Sequence, residues 1–195
     1  MKSIHDQKAL LRKEIIEKLN KLDPETTKSS NEAIIKQVIN LPKYKCAKTV
    51  FAFIGVGWEI DTKDLLKHAL SSGKKLSVPL CVGKESMEAR YIHSLADLTV
   101  GVKGIPEPLK SCPVCLPEEI DFALIPCISC DRTCMRLGQG GGYYDRYLIN
   151  TSFPNAAICR NIALVEAIPT DPWDCHVECV ITETDIYYWK NEKKP

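Results

Sequence analysis

No stretch of this sequence is apolar over a length that could cross a bilayer, neither sign of charge dominates, and no repeat or low-complexity tract interrupts it. A membrane-spanning helix needs about 20 consecutive apolar residues, so no membrane partner is expected. The 26 Lys and Arg residues are balanced by 25 Asp and Glu, so no global field draws the chain to nucleic acid or to an anionic surface. The expected partners are small molecules. The opening MKSIHDQKALLRKEIIEKL lacks an apolar core of signal-peptide length, which makes a cytoplasmic protein the expectation. With no linker long enough to divide 195 residues of 45% hydrophobic composition, the expectation is a single domain over 1–195, acting as a monomer.

Ile4, Leu10, Leu11, Ile15, Ile16 and Leu19 recur at roughly helical spacing and predict an amphipathic first helix. Asp23-Pro24-Glu25 reads as an N-cap, a first-turn proline and a first-turn acid opening a second helix that ends near Leu41-Pro42. TVFAFIG (49–55) suits a buried strand, and DTKDLLKHALSSG (61–73) a helix closed by Gly73. KKLSVPLCV, EARYIH and DFALIPCIS (121–129) are further strand candidates, followed by a glycine-rich loop and a helix from about Gly142. Strands alternating with helices predict a three-layer α/β/α fold of Rossmann-like type, with a mostly parallel sheet covered on both faces. The charged end of YYWKNEKKP is expected to fray, with Tyr187, Tyr188 and Trp189 packing before it.

RLGQGGGYYDRYL (136–148) places four glycines within five residues, and glycine loses more backbone entropy on folding than any other residue. A loop that leaves a strand and opens a helix presents unpaired N–H groups and the positive end of a helix dipole, both suited to phosphate. Side-chain-free residues let that backbone approach an anion closely. Arg136 adds a forked cationic donor, and Asp145 offers carboxylate oxygen to magnesium. The stretch matches neither the P-loop nor the dinucleotide fingerprint. On spacing alone, a simple tight turn stands beside phosphate binding.

The same stretch resembles the signature of the 5-formyltetrahydrofolate cyclo-ligase family, close to R-L-G-x-G-x-G-Y-Y-D-x-x-L, at every fixed position. KALLR (8–12), WEIDT (58–62), GIPEP (104–108) and VITE (180–183) fall in that family's order along nearly the whole chain. The resemblance implies ATP-dependent, magnesium-requiring cyclisation of 5-formyltetrahydrofolate to 5,10-methenyltetrahydrofolate, with ADP and phosphate released. It implies ATP contacts from Lys8, Arg12, Arg136, Leu137, Gly138, Gln139, Gly140, Gly141, Gly142, Tyr143 and Tyr144. On the folate side it implies Ile54 and Glu59, with Gln139, Gly140, Gly141, Gly142 and Tyr143 shared between the two substrates. Arg136 and Asp145 are the expected catalytic residues, and Asp145 with Glu178 the expected magnesium ligands. Taken without the family, Lys8 and Arg12 read as a solvated basic face, Glu59 as a helix-capping acid, and the two tyrosines as packing beneath the loop.

The chain departs from the family's usual P-G-x-x-F-D-x-x-G-x-R, reading PCISCDRTCMR, with Cys127 and Cys134 for glycines and Cys130 for phenylalanine. Glu178 stands where an aspartate is usual, and AICRNIAL lacks the usual F-E-x-Q. In a reducing compartment the ten cysteines are expected to be thiols or ligands rather than disulfides. Cys112-x2-Cys115 and Cys127-x2-Cys130, eleven residues apart, resemble two zinc-ribbon knuckles. A zinc-stabilised binding module is therefore the rival reading, beside a folate- or nucleotide-binding relative without turnover. Strand alternation at the end of DFALIP would point Cys127 and Cys130 to opposite faces unless the chain turns there.

Overall fold

The computed structural model describes residues 2–84, 86–101, 104–149 and 151–190; the NEKKP end, to which the fraying expectation applied, lies outside the described residues. Helix α1 (Ile4–Leu19) opens on the Ser3 side chain, which accepts from the Asp6 N–H. Helix α2 (Pro24–Asn40) opens on Asp23, which accepts from Thr26, with Pro24 in the first turn as expected. Helix α3 (Pro42–Cys46) begins at the next proline, α4 is Lys63–Ser71, and α5 is the short Tyr143–Leu148. Gly73, at φ 76°, takes the left-handed turn that ends α4.

The main-sheet strands are β1 (Thr49–Ala52), β2 (Lys75–Cys81), β3 (Met87–Ile92), β6 (Val114–Cys115), β7 (Phe122–Ile125), β10 (Asn155–Ile158), β12 (Cys179–Ile181) and β13 (Ile186–Tyr188). Two small sheets use β4 (Leu98–Val100), β5 (Pro106–Pro108), β8 (Ser129–Asp131), β9 (Arg136–Leu137) and β11 (Leu164–Val165). The eight-stranded sheet runs β13-β12-β10-β7-β1-β2-β3-β6. Its middle, from β12 to β2, is parallel, and antiparallel strands flank it on both sides.

Period-two alternation divides the parallel strands between two cores. Val50, Ala52, Phe122, Leu124 and Ile158 face a layer built from Ile34 and Val38 of α2, Tyr44 of α3, and Leu65 and Leu66 of α4. Phe51, Ala123, Ile125, Ala157 and Val180 face the other way, onto Ile15 and Leu19 of α1 and Leu148 of α5. The fold is the expected α/β/α arrangement. Each fully buried large side chain, such as Phe51 or Phe122, contributes about 1.5–3 kcal/mol.

Buried polar groups tie the layers together. Arg160, which follows β10, donates to Ser30 Oγ at 2.6 Å and to Asn31 Oδ1 at 2.8 Å on α2. Glu183 accepts from Ser30 Oγ at 2.5 Å and from the Asn161 N–H at 2.6 Å. The buried acid Asp131 holds the turn between β8 and β9. Its Oδ1 accepts from Thr133 N, Thr133 Oγ1 and Met135 N, while Oδ2 accepts from Ile168 N. Inside that turn Cys134 has φ 68°, a left-handed conformation that suits glycine better than a residue with a Cβ.

One expectation needs correction. The DFALIPCIS strand stops at Ile125, and the chain bends before entering β8. The glycine loop therefore leaves the β8–β9 hairpin rather than the main sheet. EARYIH supplies most of β3, as expected, and pairs antiparallel with β2.

Candidate active site

A cavity of about 1190 Å³ opens at the carboxyl ends of β1, β2 and β7, where parallel α/β sheets leave room for ligands. It exceeds the roughly 300–1,000 Å³ of a typical single-ligand pocket. All but one of the side chains named above for ATP, folate or metal line it; Glu178 does not.

One wall is cationic. Arg136 is 6% exposed, because β9 carries it beneath the glycine loop. Its Nη2 donates to Asp145 Oδ1 at 2.6 Å, its guanidinium lies 5.9 Å from the centre of the Tyr144 ring, and its Nε has no partner among the described residues. Arg12, projecting from α1, donates through Nε to the Gly138 carbonyl at 2.8 Å. Burial lowers the pKa of the Arg12 guanidinium, an effect opposed by Asp174 and Asp145. Lys8, one turn earlier on the same face, is held at 2.7 Å by Asp171 and 2.5 Å by Asp174. Burial works against the charge on Lys8, but those hydrogen bonds outweigh it and hold its pKa above the ordinary value.

The glycine loop is shaped by its backbone and by these cations. Gly140 (φ 95°) and Gly142 (φ 65°) occupy left-handed conformations. A Cβ on Gly140 would meet Arg12 Cζ at 3.4 Å, and one on Gly138 would meet Arg136 Nη1 at 3.1 Å. The helix dipole contributes less than the sequence suggested, because α5 has only six residues and Gly142 provides no side-chain cap. Positive charge at the loop comes mainly from side chains: Lys8, Arg12, Arg136 and Arg146, whose Nη2 donates to the Gly141 carbonyl at 2.6 Å.

The opposite wall is less charged. Glu59 follows β1, where its Oε2 accepts from Val56 N at 3.0 Å and its Oε1 from Gln139 Nε2 at 2.8 Å. Burial raises its pKa above the ordinary 4.5, although these hydrogen bonds oppose the shift. Ile54, Pro79 and Met87 give this side an apolar surface. Tyr143 spans the cavity mouth, donating to the carbonyl of Lys84 at 2.7 Å. Tyr144 packs against both cores, and burial raises its pKa.

Glu178 sits just before β12, at the amino end of a parallel strand and so at the opposite end of the sheet from the cavity. Its carboxylate pairs with Lys43. On the cationic side, Asp171 and Asp174 from the DPWD turn line the cavity along with Asp145. Sequence reasoning missed both, together with Trp173 and Glu107. The available signal was an acid pair seven and four residues before Glu178.

None of the ten cysteines forms a disulfide, as expected, but the zinc-ribbon pairing is not formed. Cys112 belongs to one core and Cys115 to the other, so the two Cys-x2-Cys pairs do not converge on one ion. The bend after Ile125 does bring Cys127 and Cys130 together, with sulfurs 3.3 Å apart. Hydrogen bonds from Cys130 and then Cys159 pull the Cys127 thiol well below its ordinary pKa, whereas burial pushes Cys130 up.

The family model of the 5-formyltetrahydrofolate cyclo-ligase family matches residues 4–183. The 5-formyltetrahydrofolate cyclo-ligase of Escherichia coli (strain K12) is 26% identical over 174 residues, covering 86% of this chain and 96% of that protein. A probable 5-formyltetrahydrofolate cyclo-ligase of Schizosaccharomyces pombe is 34% identical over 134 residues, 67% of this chain and 66% of that one. Among solved structures, the 5,10-methenyltetrahydrofolate synthetase of Aquifex aeolicus superposes with a TM-score of 0.85 at 30% identity. That match covers 96% of this chain and 95% of the other.

Proposed function

Because the chain belongs to the 5-formyltetrahydrofolate cyclo-ligase family, we propose that this cavity holds both substrates at once, ATP against the cationic wall and the folate against Glu59. The enzyme's reaction is the ATP-dependent cyclisation of 5-formyltetrahydrofolate to 5,10-methenyltetrahydrofolate. One observation carries the assignment of sites: the Gln139–Glu59 hydrogen bond joins the glycine loop to the strand-end wall across a single chamber. Two substrates that exchange a phosphoryl group must meet in such a chamber.

In this reading Arg136, Arg12 and Lys8 bind the phosphates, together with backbone N–H groups of residues 138–142. Lys8 exchanges its carboxylate partners for phosphate oxygen. The released acids Asp171 and Asp174, with Asp145, form a set of hard oxygen donors suited to magnesium, and Asp174 takes the place expected for Glu178. Magnesium, when bound, neutralises phosphate charge and orients the transferring group. Glu59 accepts hydrogen bonds from the pterin, with Ile54 packing beside it.

The formyl oxygen attacks the γ-phosphorus as the bond to the bridging oxygen of ADP breaks. This converts a poor leaving group into a phosphate ester. The folate nitrogen at position ten then attacks the activated carbon, its proton leaves to solvent, and C–O cleavage expels phosphate. The protein's part is positioning and charge stabilisation. The family model's match over residues 4–183 supports a single domain over 1–195. The ten free thiols support a cytoplasmic location, and no described helix is long and apolar enough to cross a membrane.

The direct test follows absorbance of the methenyl product with 5-formyltetrahydrofolate, ATP and magnesium, omitting each in turn. A rise that needs all three is expected; a rise without magnesium removes the acid cluster from the reading. Glu59→Gln separates the two substrate sites: the KM for the folate should rise about tenfold, roughly 1.4 kcal/mol, with the KM for ATP nearly unchanged. The pH dependence has a definite sign. Because burial raises the Glu59 pKa, the carboxylate acceptor is lost as pH falls through a value above 4.5, so the wild-type folate KM climbs on acidification. The Gln variant should show a flat profile, and equal slopes in both proteins would place the pterin elsewhere.

A further inference from the structure

We propose that Cys127, Cys130 and Cys159 form a binding site for a closed-shell thiophilic metal ion, Zn(II) or Cu(I), at the base of the substrate cavity. Their three sulfurs all lie within 4.8 Å of one another, with those of Cys127 and Cys130 at 3.3 Å. A metal–sulfur bond of about 2.3 Å places two thiolates on one ion roughly 3.8–4.0 Å apart, so the sulfurs need to move by only about 1 Å or less.

The topology builds this cluster. Cys127 follows β7 and Cys159 follows β10, neighbouring parallel strands whose carboxyl ends lie side by side. The bend after Ile125 folds Cys130 back onto them. Cys130 and Cys159 are buried, whereas Cys127 lines the cavity and gives an ion its way in. Nearby hard donors do not complete the set: Cys127 donates to the Ile158 carbonyl and Cys159 to the Arg160 carbonyl. Three soft ligands and an apolar surround select thiophilic ions over magnesium. Three thiolates satisfy Cu(I), and zinc would draw its fourth ligand from the cavity.

Binding exchanges three S–H protons for three metal–sulfur bonds, with no electron transferred. The affinity therefore rises with pH. It also stabilises the fold in proportion to free metal, because the unfolded chain does not hold the three sulfurs together.

The test uses the full-length reduced protein, titrated anaerobically with Zn(II) and, separately, with Cu(I). One tightly held equivalent is expected for at least one of the two ions, with a thermal midpoint that rises with metal. Alkylation of Cys127, read by peptide mass spectrometry, should slow in step with occupancy. Cys159→Ser should weaken binding by about 100-fold or more, while Cys46→Ser, at an exposed thiol, should leave it unchanged. The proposal fails if neither ion is retained, or if Cys159→Ser binds as the wild type does. It also fails if Cys127 is protected only under oxidising conditions and a reductant reverses the protection, which would mean a Cys127–Cys130 disulfide. Wild-type alkylation decides the matter should the serine variant not fold.

Discussion

Arg136→Ala is expected to lower kcat/KM for ATP by about 10²–10³-fold, the scale seen when a preorganised donor to developing charge is removed. The size follows from the setting of the guanidinium. It is almost wholly buried, it spends Nη2 on Asp145, and its Nε has no partner among the described residues. A buried cation with unused donors is costly without an anion and strongly binding with one. Asp145 keeps about a third of its side-chain exposure, so losing its partner should reduce stability by only about 1–2 kcal/mol, and the variant should fold. Arg136→Lys keeps the charge without the fork, and an intermediate rate is the expected result. ATP kinetics that do not change in Arg136→Ala would remove this residue from the phosphate site.

The second large effect is on stability. Asp131→Ala should cost about 3 kcal/mol, because three backbone N–H groups and a hydroxyl lose their acceptor in a buried turn. For a chain of this length the thermal midpoint should fall by roughly 6–12 °C. Asp131→Asn keeps one oxygen but turns an NH₂ group toward other donors, so about half the loss is expected. The turn leads directly into β9 and Arg136, so the ATP requirement should rise in the same variants. A midpoint within about 2 °C of wild type would show that water or a relaxed turn replaces the carboxylate.

Elements with strong local signals were legible. The caps at Asp23 and Gly73 and the apolar run of β1 depend on residues close in sequence, and the structure places all three as expected. The glycine loop and the cations at Lys8, Arg12 and Arg136 were also found, by motif, and they line one cavity. What escaped depends on contacts between distant residues. Nothing near Asp171 or Asp174 marks them as partners of Lys8, since the DPWD turn has no periodicity and no repeat of a known spacing. Motif order points to Glu178, yet the start of β12 carries it to the far end of the sheet. The β8–β9 hairpin was hidden because DFALIPCIS reads as one apolar run, and only the bend after Ile125 divides it. Cys159 lay outside any Cys-x2-Cys spacing, although it is the third sulfur of the cluster.

Lys8 meets Asp171 and Asp174 across 163 and 166 residues. During synthesis, therefore, α1 emerges long before the acids that will hold its lysine, and the glycine loop follows while the DPWD turn is still to come. Closing so long a loop is entropically costly and slow relative to local pairing. The central strands can assemble first, with the wall that faces phosphate completed last. A ribosome-bound chain released after α5 but before Asp171 would carry the whole RLGQGGGYYDRYL signature and still lack the acids that position Lys8.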